Sequence, residues 1–497
     1  MTAVSLAADV RGVSLLDPMP SPGRSVILVE FNELCPPLMR RFMDKGVLPN
    51  FRRFHDEANV YVTEAKERAP YLEPWIQWIT VHNGINYEDH EQLNLDEGHN
   101  VTAPALWDIL SDAGLRTWVC GSMNTRVSPA YKGAMLPDPW STHIEPRPAE
   151  LRPFFEFIRR NVQEHTRDRV PLGAKDYARF VHFMARHGLS KTTALAIAKQ
   201  LASEKRSKGK TRWRRATILD RLQLDVFRHY WKKLDPHFAT YFSNSTAHFQ
   251  HMHWRNMEPH LFKIAPTEEE QAHYQDAIEY GYRSMDALLG DLMELAGTDT
   301  TLVFLTALSQ QPYLLYEDQG GKQAYRPKDF EKLIRWAGVE GEFTIAPVMT
   351  HYFHVTFHDE RTATVAAAKL RALTANGTQV LNVEPKGTDV FCGCKIYTAL
   401  DGSVRLESTI TKATTGFFDQ FYRIEGLKSG MHHPDGILWV RTPDRRHRVH
   451  SDKVPLEQVA PMILDMFSIS PPATMRAKPL TGFAALAASR SGPSAGA

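Results

Sequence analysis

Three histidines and a tryptophan fall within eight residues, Ala247-His248-Phe249-Gln250-His251-Met252-His253-Trp254. Histidine is the commonest metal ligand, and its side chain titrates near neutrality. His248 and His251 are three positions apart, so on a helix they share a face and could bind one ion together. The competing reading is a polar surface turn that needs no ion. A second group, His351, His354 and His358, is interspersed with apolar residues along an expected strand, which favours packing or surface positions over chemistry.

Elements must carry these residues to one place. The apolar run Phe238-Ala239-Thr240-Tyr241-Phe242 reads as a buried strand that ends just before the histidines. Similar runs at Ser25-Val26-Ile27-Leu28-Val29-Glu30-Phe31, Arg116 to Cys120, Thr301 to Thr306 and Gly436 to Val440 read as further strands. Amphipathic segments lie between them: one opened by Pro36-Pro37, one after Glu73-Pro74, one over Ala105 to Ala113, a long one over Glu268 to Leu295, and a last one over Leu456 to Phe467. Apolar runs alternating with helices imply an α/β fold around a largely parallel sheet.

The chain has 497 residues, of which 43% are hydrophobic and 23% charged. That is ordinary for a globular protein with a sizeable core. Net charge is +2, too small to imply nucleic acid or an anionic membrane as partner. One stretch departs from this mean. Residues 199–215 carry Lys199, Lys205, Arg206, Lys208, Lys210, Arg212, Arg214 and Arg215 against the single Glu204. It reads as a solvated basic loop, or more sharply as a rim that attracts anions. The four cysteines, Cys35, Cys120, Cys392 and Cys394, are too scattered for a disulfide framework, which suggests a reducing compartment. No signal peptide or membrane span is expected, and a cytoplasmic location follows as the expectation.

The chain divides into a flexible tail over 1–24 and a first part of the core over 25–149. A helical basic insertion follows over 150–215, then a second part of the core over 216–335. An inserted α+β cap rich in Thr, Val, Phe and Gly spans 336–428. The last part of the core covers 429–476, and an Ala/Ser/Gly-rich tail covers 477–497.

In this order the elements resemble the alkaline phosphatase superfamily, and most nearly its type I phosphodiesterase/nucleotide pyrophosphatase branch. The resemblance rests on four stretches: Val26 through Leu48-Pro49-Asn50-Phe51; Trp75 through Gly84; Ala105 to Leu110 with Gly114; and Gly430-Met431-His432-His433-Pro434-Asp435-Gly436 with Val459 to Leu464. It implies an alkaline-phosphatase-like, mostly parallel central sheet flanked by helices. It also implies a site in which two divalent ions flank a Thr or Ser nucleophile. Carried over residue by residue, most of that site is substituted here. Asn32 stands at the first metal-binding Asp, and Glu73 or Pro74 at the nucleophile. Ala247 replaces the Asp four residues before His251, and Ala307-Leu308-Ser309 replaces Asp-His-Gly. His251 and His432 correspond to retained ligands, with His248 a candidate substitute for the lost Asp.

The resemblance therefore implies at most one divalent, zinc-like ion, held by His248, His251 and His432. Glu73 and Asn32 would be catalytic, with Glu73 as general base or acid. Gln77, Gln310, Gln311 and His433 are candidate substrate contacts. The expected activity is hydrolysis or group transfer on a small anionic phosphoester, phosphonate or sulfate; no nucleotide cofactor is indicated. Oligomeric state carries no signature here. The alternative is a catalytically inactive pseudoenzyme acting as a binding or scaffold protein, for which loss of the hydroxyl nucleophile argues directly.

Overall fold

The computed structural model describes residues 25–165, 172–348, 351–424 and 426–483. The expected tail 1–24 lies outside them, as do residues 484–497 of the expected tail 477–497. Among the described residues the central sheet has nine strands. From one edge they run Arg448–Val449, Asn59–Glu64, Asp435–Arg441, Thr300–Leu305, Ser25–Phe31, Phe238–Ser243, Thr117–Cys120 and Ala134–Leu136, and Val454–Pro455 also pairs with Asn59–Glu64. Every strand but one points the same way; Asp435–Arg441 is antiparallel to both its neighbours.

Parallel strands covered on both faces read as unbroken apolar runs, and the middle strand shows why. Ile27, Val29 and Phe31 enter one hydrophobic cluster, with Phe51, Phe54, Phe304 and Trp439. Val26 and Leu28 enter the other, with Trp78, Trp107 and Leu438. Successive side chains leave a strand on opposite faces, so one run of sequence feeds both layers. Each fully buried large apolar side chain contributes roughly 1.5–3 kcal/mol.

The expected long helix over Glu268 to Leu295 is two helices, Glu268–Tyr274 and Ala277–Ala296. Asp276 between them has a non-helical backbone (φ −98°, ψ 4°), a local turn that apolar spacing does not register. Helices Arg152–His165, Ala174–Arg186, Lys191–Arg206 and Arg215–Leu234 form the helical region. A cap with its own hydrophobic cluster, including Phe353, Val355, Ala367, Leu370 and Cys392, is built from two four-stranded antiparallel sheets and the helix Glu360–Arg371. All four cysteines are free and buried. Burial pushes the Cys35 and Cys394 thiols up to about 12, so neither offers a thiolate.

Candidate functional site

The central strands Ser25–Phe31, Phe238–Ser243 and Thr300–Leu305 are parallel neighbours, and their carboxyl ends lie side by side, the place of the crevice in open α/β sheets. Ligands of open α/β sheets bind at such ends. Glu33 lies two residues past the first strand. Its φ of +62° is unusual for a residue with a side chain. Neighbouring strands hold it there: the Asn32 N–H donates to the Ser243 carbonyl (2.9 Å) and the Glu33 N–H to that of Thr306 (3.2 Å). Strain of this kind persists where the surroundings over-determine it, often at functional sites.

The Glu33 carboxylate is buried and accepts from every side. Asn32 Nδ2 donates to Oε1 (2.8 Å), and Gln310 Nε2 donates to Oε2 (2.6 Å). His251 Nε2 is 3.1 Å and His432 Nε2 3.5 Å from the same Oε2. His251 sits on the helix Ser245–Met257, and its Nδ1 donates to the Gly430 carbonyl at 2.9 Å. That bond fixes the tautomer and leaves Nε2 facing Glu33. His432 lies on the short strand Gly430–His433, paired with Ser309–Pro312 so that His432 stands opposite Gln310. Glu73 precedes the helix Pro74–Asn83, and its Oε2 is 3.4 Å from His432 Nδ1.

Charges follow this geometry. Burial alone would raise Glu33, but His251 and His432 beside it, with the hydrogen bonds from His251 and Gln310, hold it down to about 2. Burial pushes His432 down to about 3, which keeps it a neutral imidazole, the form that binds metal. Desolvation raises Glu73 to about 7, opposed by Lys428 and Lys322 and assisted by Glu33. Its side chain keeps 31% of its surface accessible, so it stands at the mouth while Glu33 forms the floor.

With Nδ1 donating to a carbonyl, His251 turns its Nε2 to a carboxylate oxygen 3.1 Å away, where it either donates a proton to that oxygen or binds a cation together with it. Four ligands about 2.05 Å from a tetrahedral ion stand about 3.3 Å apart; the observed 3.1 and 3.5 Å bracket that spacing. Glu33, His251 and His432 are the one set of three potential ligands found among the described residues, and they fit a zinc-like ion. The expected substitute ligand His248 is exposed and outside this set; Glu33 supplies the carboxylate instead. A second ion has no such set: Ala307 and Leu308 are buried and apolar, and the Asn32 carbonyl accepts from Trp78 Nε1 (2.8 Å).

The other expected residues take supporting places. Asn32 also donates to Asn244 Oδ1 (2.8 Å), so it orients Glu33. Gln310 clamps Glu33 to the Ala247 carbonyl. Gln311 donates to the His432 carbonyl (3.1 Å), Gln77 to the Tyr71 carbonyl (3.3 Å), and His433 Nδ1 accepts from the Asp435 N–H (3.1 Å). A buried network also joins Glu30 to His82 (2.7 Å) and Ser122 (2.6 Å). Trp78 stacks on His82. In the cap, His354 binds Asp389 (2.6 Å) and His358 is exposed.

The sequence reading missed the outer wall. Lys322 Nζ lies 4.3 Å from the Tyr397 ring and 5.7 Å from the Tyr313 ring, and Lys428 Nζ lies 5.9 Å from Tyr313. Neither lysine has a carboxylate within ion-pair distance among the described residues, although both act on Glu73. Desolvation, with Lys428 nearby, lowers Lys322 to about 8. Buried His351 completes the wall, with neither ring nitrogen hydrogen-bonded. The two cations together make the surroundings of Glu73 electropositive.

Gly430 lets two segments approach closely. A Cβ there would lie 2.3 Å from Gln310 Oε1 and 2.5 Å from the Gln250 carbonyl oxygen. Gly430→Ala should cost about 1–3 kcal/mol and shift the carbonyl that orients His251. Thermal melts and metal affinity should fall together, and an unchanged metal affinity would refute the link.

No family model matches the chain, and no curated protein matches its sequence. Solved structures similar to it include phosphonoacetate hydrolase from Sinorhizobium meliloti 1021 in complex with phosphonoformate. That structure is 11% identical, with 89% of this chain and 95% of that chain covered and a TM-score of 0.37. Murine ectonucleotide pyrophosphatase/phosphodiesterase 5, an inactive variant in complex with AMP, is 9% identical, with 90% and 96% covered and a TM-score of 0.40. The human counterpart is 8% identical over the same shares, with a TM-score of 0.41.

Proposed function

We propose that the chain is a hydrolase or group-transfer enzyme that acts on a small phosphate-like anion with one zinc-like ion. The observation that carries this reading is the convergence of Glu33 Oε2, His251 Nε2 and His432 Nε2 at metal-ligand spacing. Bound there, a divalent ion would supply Lewis-acid polarisation of the ester oxygens. Lys322 and Lys428 hold the remaining negative charge of the substrate. Glu73, when ionised, takes a proton from the attacking water; once protonated, it can return that proton to the leaving oxygen. Asn32 and Gln310 keep the Glu33 carboxylate aimed at the histidines throughout.

A binding protein on a retained scaffold has one observation in its favour. Glu33 and His251 pair directly, which satisfies the carboxylate without an ion. Zinc loading followed by dialysis separates the two readings. Near-stoichiometric zinc is expected in the parent protein, and none in His251→Ala or His432→Ala. Hydrolysis of p-nitrophenyl phosphate, phosphonate and sulfate esters should follow the zinc. Lys322→Gln and Lys428→Gln should each raise KM roughly tenfold, the scale of one lost charged hydrogen bond, with little effect on kcat. A protein that keeps no zinc and cleaves none of these esters would leave the scaffold reading standing.

A further inference from the structure

The net charge of the chain averages over a marked asymmetry in its helical region. The helix Lys191–Arg206 packs its inner side, with Thr193 and Gln200 buried, against the helix Arg215–Leu234. Its outer side is apolar: Ala194, Leu195, Ala198, Leu201 and Ala202 are all exposed. Leu195 is 55% and Leu201 54% accessible, well above the level of a packed leucine. Lys191 and Lys205 stand at the ends of this stripe, and Lys199 and Arg206 along its flank. None of these four has a carboxylate partner among the described residues. The helix's one acid, Glu204, is turned away and bound by Arg215 through two hydrogen bonds (2.7 and 2.6 Å).

The preceding helix repeats the apolar exposure, although its Arg179 pairs with Glu156 at 3.7 Å. In Ala174–Arg186, Tyr177 is 46% and Val181 58% accessible, flanked by exposed Arg179 and Arg186. Its one acid, Asp176, is bound by Arg160 at 3.1 Å. Two successive helices thus expose apolar side chains framed by cations, while their carboxylates are engaged elsewhere.

We propose that the outer face of the helices Ala174–Arg186 and Lys191–Arg206 docks the protein on an anionic phospholipid surface. An apolar stripe bordered by Lys and Arg is the pattern of a helix lying in a membrane interface. The side chains enter the acyl boundary and the cations meet the headgroups. Two copies of this face would set cations against cations, which disfavours self-pairing. A nucleic acid would use the lysines and leave the leucines in water. The attachment is peripheral, because no described helix is long and apolar enough to cross a membrane.

The test is co-sedimentation of the full chain with vesicles of phosphatidylcholine alone or of phosphatidylcholine mixed with phosphatidylserine. Binding is expected only to the mixed vesicles and should weaken as salt rises. Leu195→Gln/Leu201→Gln and Lys199→Glu/Lys205→Glu/Arg206→Glu should each lower partitioning roughly tenfold or more. Their melting temperatures should be unchanged, since the substituted side chains are exposed. Three results would overturn the proposal. One is no binding to mixed vesicles at low salt. Another is binding lost in the charge variant but unaffected in the leucine variant, which is adhesion by charge alone. The third is light scattering showing a dimer that the leucine variant dissolves, which assigns the face to a second copy.

Discussion

Replacing Glu33 by glutamine should leave a folded protein that no longer holds its ion. The substitution preserves shape, so packing around the crevice is unaffected. It removes the one negative charge among the three candidate ligands. One new N–H must face a donor, either Asn32 Nδ2 or Gln310 Nε2. Turning the Gln310 amide over to accept it gives up the Gln310 bond to the Ala247 carbonyl, a modest cost. The expected loss in zinc affinity is at least about a hundredfold, the upper range for disturbing a metal's supporting shell. Hydrolysis should fall to background while the circular dichroism melt shifts little. Zinc retained at the parental level in Glu33→Gln would remove Glu33 from the ligand set.

Glu73→Gln should behave in the opposite way, keeping the ion and losing turnover. Loss of a general base costs roughly 10²–10⁴-fold in kcat. Zinc content should be unchanged, because Glu73 approaches His432 through Nδ1, away from the nitrogen that faces Glu33. The pH profile carries the sign. Glu73 is raised to about 7, so its basic form, and the rate with it, grows as pH climbs through that value. Lys322 is lowered to about 8, so its charge, and anion binding with it, fades above that value. The product is a narrow bell in kcat/KM between the two. Lys322→Arg should extend the alkaline limb, since guanidinium stays charged. A maximum on the acid side of 7 would make Glu73 a proton donor in the first step.

The strands were legible because parallel, doubly covered strands leave a local mark in sequence. His251 was legible from the histidine spacing itself, His432 and Glu73 only through resemblance, and the structure brings all three together. Glu33 was hidden in plain view beside Asn32. A carboxylate was sought in register with a known pattern, and a left-handed backbone moved it one residue along the chain. His248 shares a helical face with His251 on spacing, yet the crevice meets only the inner edge of that face, and His248 stays exposed. Lys322 and Lys428 have no periodic or local signal. Their role depends on long-range packing that sets them beside Tyr313 and Glu73.

The antiparallel strand Asp435–Arg441 has a consequence for biosynthesis. Among the described strands it is the only bridge between Asn59–Glu64, with its small edge strands, and the five parallel strands that begin with Thr300–Leu305. A ribosome that has released everything up to the cap has made five parallel strands and an Asn59–Glu64 segment whose described strand partners are all still to come, with a one-strand gap between them. Both gap-lining edges carry unpaired backbone groups, which are templates for aggregation. The segment that closes this gap also delivers His432. Completion of the sheet and assembly of the ligand set are therefore one late event, and a stalled or truncated chain would lack both at once.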